Sequence, residues 1–255
     1  MTDLDKTLNG THPAANGREK RESLTRERVV ETALAIVDRD GLNKLSMRKL
    51  GTELQVDPMA VYYYIPNKAA LLDGLVDAVM NELGVADERK LGEDVTEWFV
   101  AQFGVFWQTL RSHPNVLSVM ATRPITGESG LRSAERVLGE LHGLGLPADD
   151  AMAAMMSLTT TTIALAHAEA GRAPEAMDPA LRAKVEACYV ALPPAEFPLF
   201  LSGLARPPMK DWGKIFEFTI RTFLAGLIAT YGSANRKTGG SDVVSPPPAL
   251  SLTAD

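Results

Sequence analysis

Cysteine is almost absent from this chain. Cys188 stands alone among 255 residues, so no intramolecular disulfide can form and a reducing, cytoplasmic setting is expected. Histidine is scarce as well, with four in all, which leaves little material for a Cys/His zinc site. Neither a metal nor a cofactor is expected. No uninterrupted apolar run approaches the ~18 residues of a membrane span, and the polar N-terminus lacks the apolar core of a secretory signal. Positive charge is not in excess: 26 Lys and Arg against 32 Asp and Glu give a net charge of −6. That excludes a uniformly basic nucleic-acid coat but not a local basic face. A Ser/His/Asp arrangement, a P-loop and a dinucleotide glycine motif are all missing. Asp149-Asp150 resembles a carboxylate pair, yet no third acid stands four residues from Asp149. The pair reads as first-turn acid at a helix N-terminus.

What the chain does have is apolar residues at helical spacing. Residues 1–22, with Arg18, Lys20 and Arg21, form a polar arm without hydrophobic period, and residues 234–255 carry Pro246-Pro247-Pro248. Both are expected to be disordered. Between them, Val29, Ala33, Ile36 and Val37 share one face of a helix that Thr25 caps and Gly41 ends. Ser46 caps a short helix. Asp57-Pro58 starts another, with Asp as N-cap and Pro at the first helical position. Pro66 cuts that one short, and Asn67 caps a longer helix reaching Leu83. After Gly92 the expected helices lengthen: Val95–Arg111, a short Asn115–Ala121, Leu131–Leu141, Ala148–Glu169, one from Asp178 to about Leu192, and Asp211–Tyr231. Pro193, Pro194 and Pro198 mark a loop. No period-two alternation persists, so the fold class is all-α. A three-helix domain with a helix-turn-helix and a connecting helix is expected at 23–84, and a larger helical domain at 85–233.

The N-terminal helices have the proportions of a helix-turn-helix. Arg48 and Lys49 lie early on the first helix of the pair, with Lys44 before it and Lys68 after the second. Tyr62, Tyr63 and Tyr64 are consecutive and cannot all face a core at helical spacing. At least one is exposed, where a phenol can bond a phosphate or pack on a base edge.

Several motifs then converge. They are Leu42-x-x-Leu45-Ser46, Arg48-x-Leu50, the spacing of Val56 and Tyr62, and Asn67-Lys68-x-x-Leu71-Leu72. Together they span about residues 25–80, and that region resembles the DNA-binding domain of the TetR family of one-component regulators. Tyr62-Tyr63 and Leu72-Asp73-Gly74 point to its tetracycline-repressor branch. His113-Pro114 and Thr122-Arg123-Pro124 extend the resemblance more weakly. It implies that Ser46, Tyr62 and Lys68 hold phosphates and that Arg48 reaches a base, a guanine by preference. Pro58, Met59, Ala60 and Tyr63 would face bases, with Met47 and Tyr64 completing the DNA surface. Met47 and Ala60 replace polar residues common in the family, so the operator should differ from that of tetracycline repressor. Gln55 sits where the family usually has Gly, and a left-handed conformation there would cost ~1 kcal/mol.

For the larger domain the resemblance implies an apolar inducer cavity with a few polar groups. Its candidate residues are Gln102, Phe103, Phe106, Trp107, Val119, Thr122, Met156, Thr159, Thr162 and His167, with Glu169 a further polar candidate. Thr159 to Thr162 can instead bond back to their own helix and serve a helix contact. His113 reads as structural. The imidazoles with which tetracycline repressor holds a drug–magnesium complex align with Gly84 and Val119, so neither that metal nor that drug is expected. Ala148–Glu169 and Asp211–Tyr231 are apolar on too many faces for a monomer surface, and their family counterparts form a four-helix bundle between subunits. The implied function is a ligand-responsive transcriptional repressor. It would bind a palindromic operator in double-stranded DNA as a homodimer and be released by a small apolar or amphipathic effector, away from any membrane. A DNA binder without a ligand and an all-α enzyme are the alternatives.

Overall fold

Capping side chains set the helix starts. In the computed structural model, which describes residues 23–172, 178–205 and 211–232, Thr25 accepts the Arg28 N–H and opens α1, Arg26–Asp40. Ser46 accepts the Lys49 N–H before α2, Met47–Leu54. Asp57 accepts the Met59 N–H before α3, Pro58–Tyr64. Asn67 accepts the Ala70 N–H before α4, Lys68–Leu83. Each satisfies one of the donors that a helix leaves unpaired in its first turn. The arm, with Arg18, Lys20 and Arg21, and the tail from 234 lie outside the described residues.

Seven α-helices follow among the described residues. Asp94 caps α5, Val95–Ser112. His113-Pro114 breaks the chain into a 3-10 turn before the short α6, Leu117–Met120. Then come α7, Glu128–Gly143, and α8, Ala148–Arg172. Asp178 caps α9, Pro179–Val190, and α10, Pro198–Ala205, precedes α11, Trp212–Tyr231. No strand occurs among the described residues.

The connecting helix α4 belongs to both halves. It packs on α1 and also against α5, α6 and α7. The α1 crossing is close because position 74 is glycine: a Cβ there would lie 2.8 Å from Val30 Cγ2. A single apolar core runs from Val29 through Leu75, Val79, Trp98 and Phe99 to Ile220 and Leu224.

One feature departs from the sequence reading. The loop expected through Pro198 ends there, because proline at a first helical position sacrifices only a donor that has no partner anyway, and α10 begins. Tyr189 of α9 meets Phe200 of α10 edge to face at 5.4 Å, but α9 has no buried residue. Val190 and Leu199 are both 87% exposed. The helix α8 is 25 residues long, and an 18-residue window within it has a mean hydropathy of 1.2, enough by length and composition to cross a membrane. Its threonines interrupt the apolar run. Its Leu158, Thr162 and Ala166 are buried, and the helix packs against α5, α7 and α11.

Candidate DNA-reading head and ligand cavity

The α2–α3 turn passes tightly over Gly51. A Cβ there would lie 3.0 Å from the Val56 carbonyl oxygen and 3.1 Å from the Pro58 nitrogen. Gln55 takes the left-handed conformation, φ 55° and ψ 41°, and its N–H caps α2 at Gly51 and Thr52. Leu50, Val61 and Ile65 are fully buried and fix the pair on the core. The opposite face of α3 is open: Met59, Tyr62 and Tyr63 are 71%, 43% and 86% exposed. Ser46, Arg48 and Lys68 are exposed beside them, and Pro58 and Ala60 are partly covered. Met47 and Tyr64 are half-buried and pack on the core. The Tyr64 ring supports Tyr63 edge to face at 5.2 Å.

The cations of the head divide into two groups. Lys49 is drawn to Asp40 and Glu53, at 3.6 and 3.4 Å, where Arg39 already pairs with both acids at 2.9 and 2.6 Å. Hydrogen bonds from Arg39 hold both carboxyl groups below their ordinary pKa. The Arg48 guanidinium and the Lys44 and Lys68 amines have no ion-pair partner among the described residues, so their charge is available to an outside anion.

One segment after α5 ties the head to the larger domain. His113 Nδ1 lies 2.8 Å from Asp38 of α1, and its Nε2 lies 2.8 Å from Glu82 of α4. Two carboxylate acceptors call for donors at both ring nitrogens, which is the imidazolium form. Burial works against that charge, but Glu82 and Asp38 outweigh it and hold the His113 pKa above its ordinary value. Asn115 donates to the Val37 and Asp38 carbonyls at 3.0 and 3.1 Å. Arg123 pairs with Asp73 near the start of α4 at 2.8 Å. Residues 113–123 therefore grip α4 at both ends.

Beside this grip lies a cavity of about 1210 Å³, walled by α4, α5, the α6–α7 segment, α7 and α8. Gln102, Phe103, Phe106, Thr122, Met156, Thr159 and His167 line it. Three residues assigned to it from the sequence do not. Trp107 is turned toward α11, where it stacks on Phe216 at 5.0 Å beneath the Arg111 guanidinium. Val119 is buried in the core, while its neighbours Ser118 and Met120 face the cavity. Thr162 is fully buried and donates to the Leu158 carbonyl at 2.8 Å. One residue is a rotation of about 100° on a helix, which turns Thr162 away from its lining neighbour Ile163 and to the far side of Thr159. Glu169 pairs with Arg111 at 3.0 Å instead of facing the cavity.

Sequence reasoning missed two walls. Met80 and Leu83 enter from the end of α4, and Gly130, Ser133, Ala134 and Val137 enter from α7. The signal on α7 was its run of small residues on the face expected to be packed. Polar groups in the wall are partly engaged. Gln102 accepts the Asp87 N–H at 3.0 Å. Ser133 accepts the Ala86 N–H at 3.0 Å and donates to Gly84 O at 3.1 Å. The space suits an apolar molecule with few polar groups.

A family model described as tetracyclin repressor-like, C-terminal domain, matches residues 97–231. The chain belongs to the TetR family. A helix-turn-helix transcriptional regulator of Saccharopolyspora erythraea is 29% identical over 209 residues, covering 82% of this chain and 86% of that protein. The class A tetracycline repressor from transposon 1721 of Escherichia coli is 29% identical over 196 residues, covering 70% and 89%. Among solved structures, apo ActR of Streptomyces coelicolor superposes with a TM-score of 0.72 at 28% identity, covering 83% of this chain and 98% of that one. ActR in complex with actinorhodin gives 0.71 at 28% identity, covering 82% and 99%. This TetR-family chain is thus a DNA-binding transcriptional regulator and not an enzyme.

Proposed function

We propose that this regulator is a repressor that binds a palindromic operator as a homodimer and leaves it when an apolar or amphipathic effector enters the cavity. One observation carries the reading: Met80 and Leu83 at the end of α4 are cavity wall, while α4 also packs on α1 of the head. An effector that favours one position of α4 therefore acts on the helices that would meet DNA. ActR, a similar protein, is known in complex with actinorhodin, which supports a small-molecule effector. The contacts assigned from the family stay as proposed: Ser46, Tyr62 and Lys68 on phosphates, Arg48 on a base, and Pro58, Met59, Ala60 and Tyr63 against the groove.

Dimerisation through α8 and α11 is supported by what those helices leave uncovered. Phe218 is 70% exposed, and Ala153, Ser157, Ala225 and Ala229 are exposed small residues over which another helix can approach closely. A twofold dimer places two α3 helices about one DNA turn apart. Family membership supports a cytoplasmic protein. Selection of bound duplexes from a random library, at stated salt, tests the reading. A palindrome with half-sites about one turn apart is expected; recovery of no common sequence would contradict operator binding.

A further inference from the structure

We propose that the first turn of α3 reads the 5-methyl groups of thymine through Met59 and Ala60, leaving hydrogen-bonded base readout to Arg48 and the Tyr63 hydroxyl. This rests on the operator binding proposed above and adds what the half-site must contain.

Geometry puts the apolar side chains outward. Val61 is fully buried and fixes the inner face of α3. Residues two positions before or after it lie about 200° away around the helix. Those residues are Met59 and Tyr63, and they are the most exposed of the helix at 71% and 86%. Ala60 lies beside Met59 and is partly open. From Pro58 to Val61 no side chain carries a hydrogen-bond donor or an oxygen acceptor. The one acid at this end is turned back on the helix as its N-cap, where Asp57 Oδ1 accepts the Met59 N–H at 2.8 Å. The side chains of the leading turn of α3, Pro58 to Val61, are therefore apolar.

The major groove offers one apolar feature, the thymine methyl; its other distinguishing atoms are donors and acceptors. A thioether chain pressed on a methyl buries apolar surface on both sides. Pressed on the amino group of cytosine or adenine, it would strip water and return no hydrogen bond. The preference of Met59 and Ala60 is thus for thymine, on either strand. Arg48 is exposed on α2 with an unpaired guanidinium among the described residues, and it suits the paired acceptors of a guanine. The half-site expected is a guanine close to one or two thymines.

The test uses the full chain and its selected operator. Each half-site thymine is replaced in turn by deoxyuridine, which removes the methyl and nothing else. At one or two positions per half-site, affinity should fall about three- to fourfold, the worth of one buried methyl. In Met59→Ala the penalty at one of those positions should shrink, while the salt dependence of binding stays the same. Met59 is 71% exposed, so this variant keeps its fold. Unchanged affinity for every deoxyuridine duplex overturns the proposal, as does a penalty equal in wild type and Met59→Ala. If the chain enriches no sequence at all, the operator reading itself has failed, and this proposal falls with it.

Discussion

Gln55 and His113 show how single residues register the demands of the fold. Gln55 holds a left-handed conformation at φ 55°, where an L side chain is disfavoured by roughly 1–2 kcal/mol. Glycine removes that strain but loses more entropy on folding. Gln55→Gly should therefore stabilise the chain by about 0.5–1 kcal/mol, measured by urea unfolding, with operator affinity unchanged. His113 titrates instead. Its pKa is raised in the folded chain by Glu82 and Asp38 against the effect of burial. A raised folded pKa means that its stabilisation is complete below the unfolded value of about 6.5 and is lost as pH rises through the higher folded value. The stability gap between wild type and His113→Gln should be widest at about pH 6 and narrow toward alkaline pH. A gap that widens with pH would contradict the imidazolium bridge. The sequence marked His113 as structural because of the following proline, but not its two partners, which stand 75 and 31 residues away. Trp107, Val119 and Thr162 were misplaced for a related reason. Periodicity tells which residues are apolar, not which of two buried faces, core or cavity, receives them.

At the scale of the helices, local chemistry was readable wherever a cap was present. Thr25, Ser46, Asp57, Asn67 and Asp178 all accept N–H groups as expected of them, and Asp94, which the sequence reading did not single out, caps α5 in the same way. The exception, α10, starts on a proline that reads equally as loop or as helix start. What no cap or period announces is how closely two helices approach. The α1–α4 crossing depends on Gly74, whose missing Cβ leaves room for Val30. Alanine gains about 1 kcal/mol of helix propensity. Against that, a contact at 2.8 Å with a β-branched side chain that is stiff at χ1 is overpacking, which costs typically 1–3 kcal/mol. Gly74→Ala should therefore destabilise by about 1 kcal/mol net and shift the head against the larger domain. Denaturant unfolding and operator affinity, both reduced, would bear this out; a more stable variant would show that α1 has slack.

For the whole molecule, the layout joins a head with unpaired cations, a cavity of about 1210 Å³ and a helix that belongs to both. The helical class and the head were readable because helix-turn-helix chemistry is local in sequence. The cavity was only half readable, since its walls come from five separate parts of the chain. The surface of α8 and α11 makes its own prediction. Phe218→Asp puts a charge where an apolar side chain is 70% exposed, so the monomer should remain folded while sedimentation shifts from dimer to monomer. Binding to a two-half-site operator should fall to that of a single half-site. The central claim is that the cavity and the DNA surface are coupled through α4. Its direct measurement is an operator titration with and without the compound that most raises Tm in a screen of effector-sized apolar molecules. Coupling of about 1–3 kcal/mol predicts that the compound weakens operator binding roughly 5- to 150-fold and is itself bound more weakly on the operator by the same factor. A compound whose binding is abolished by a cavity-filling substitution such as Ala134→Phe, yet which leaves operator affinity unchanged, would contradict the account.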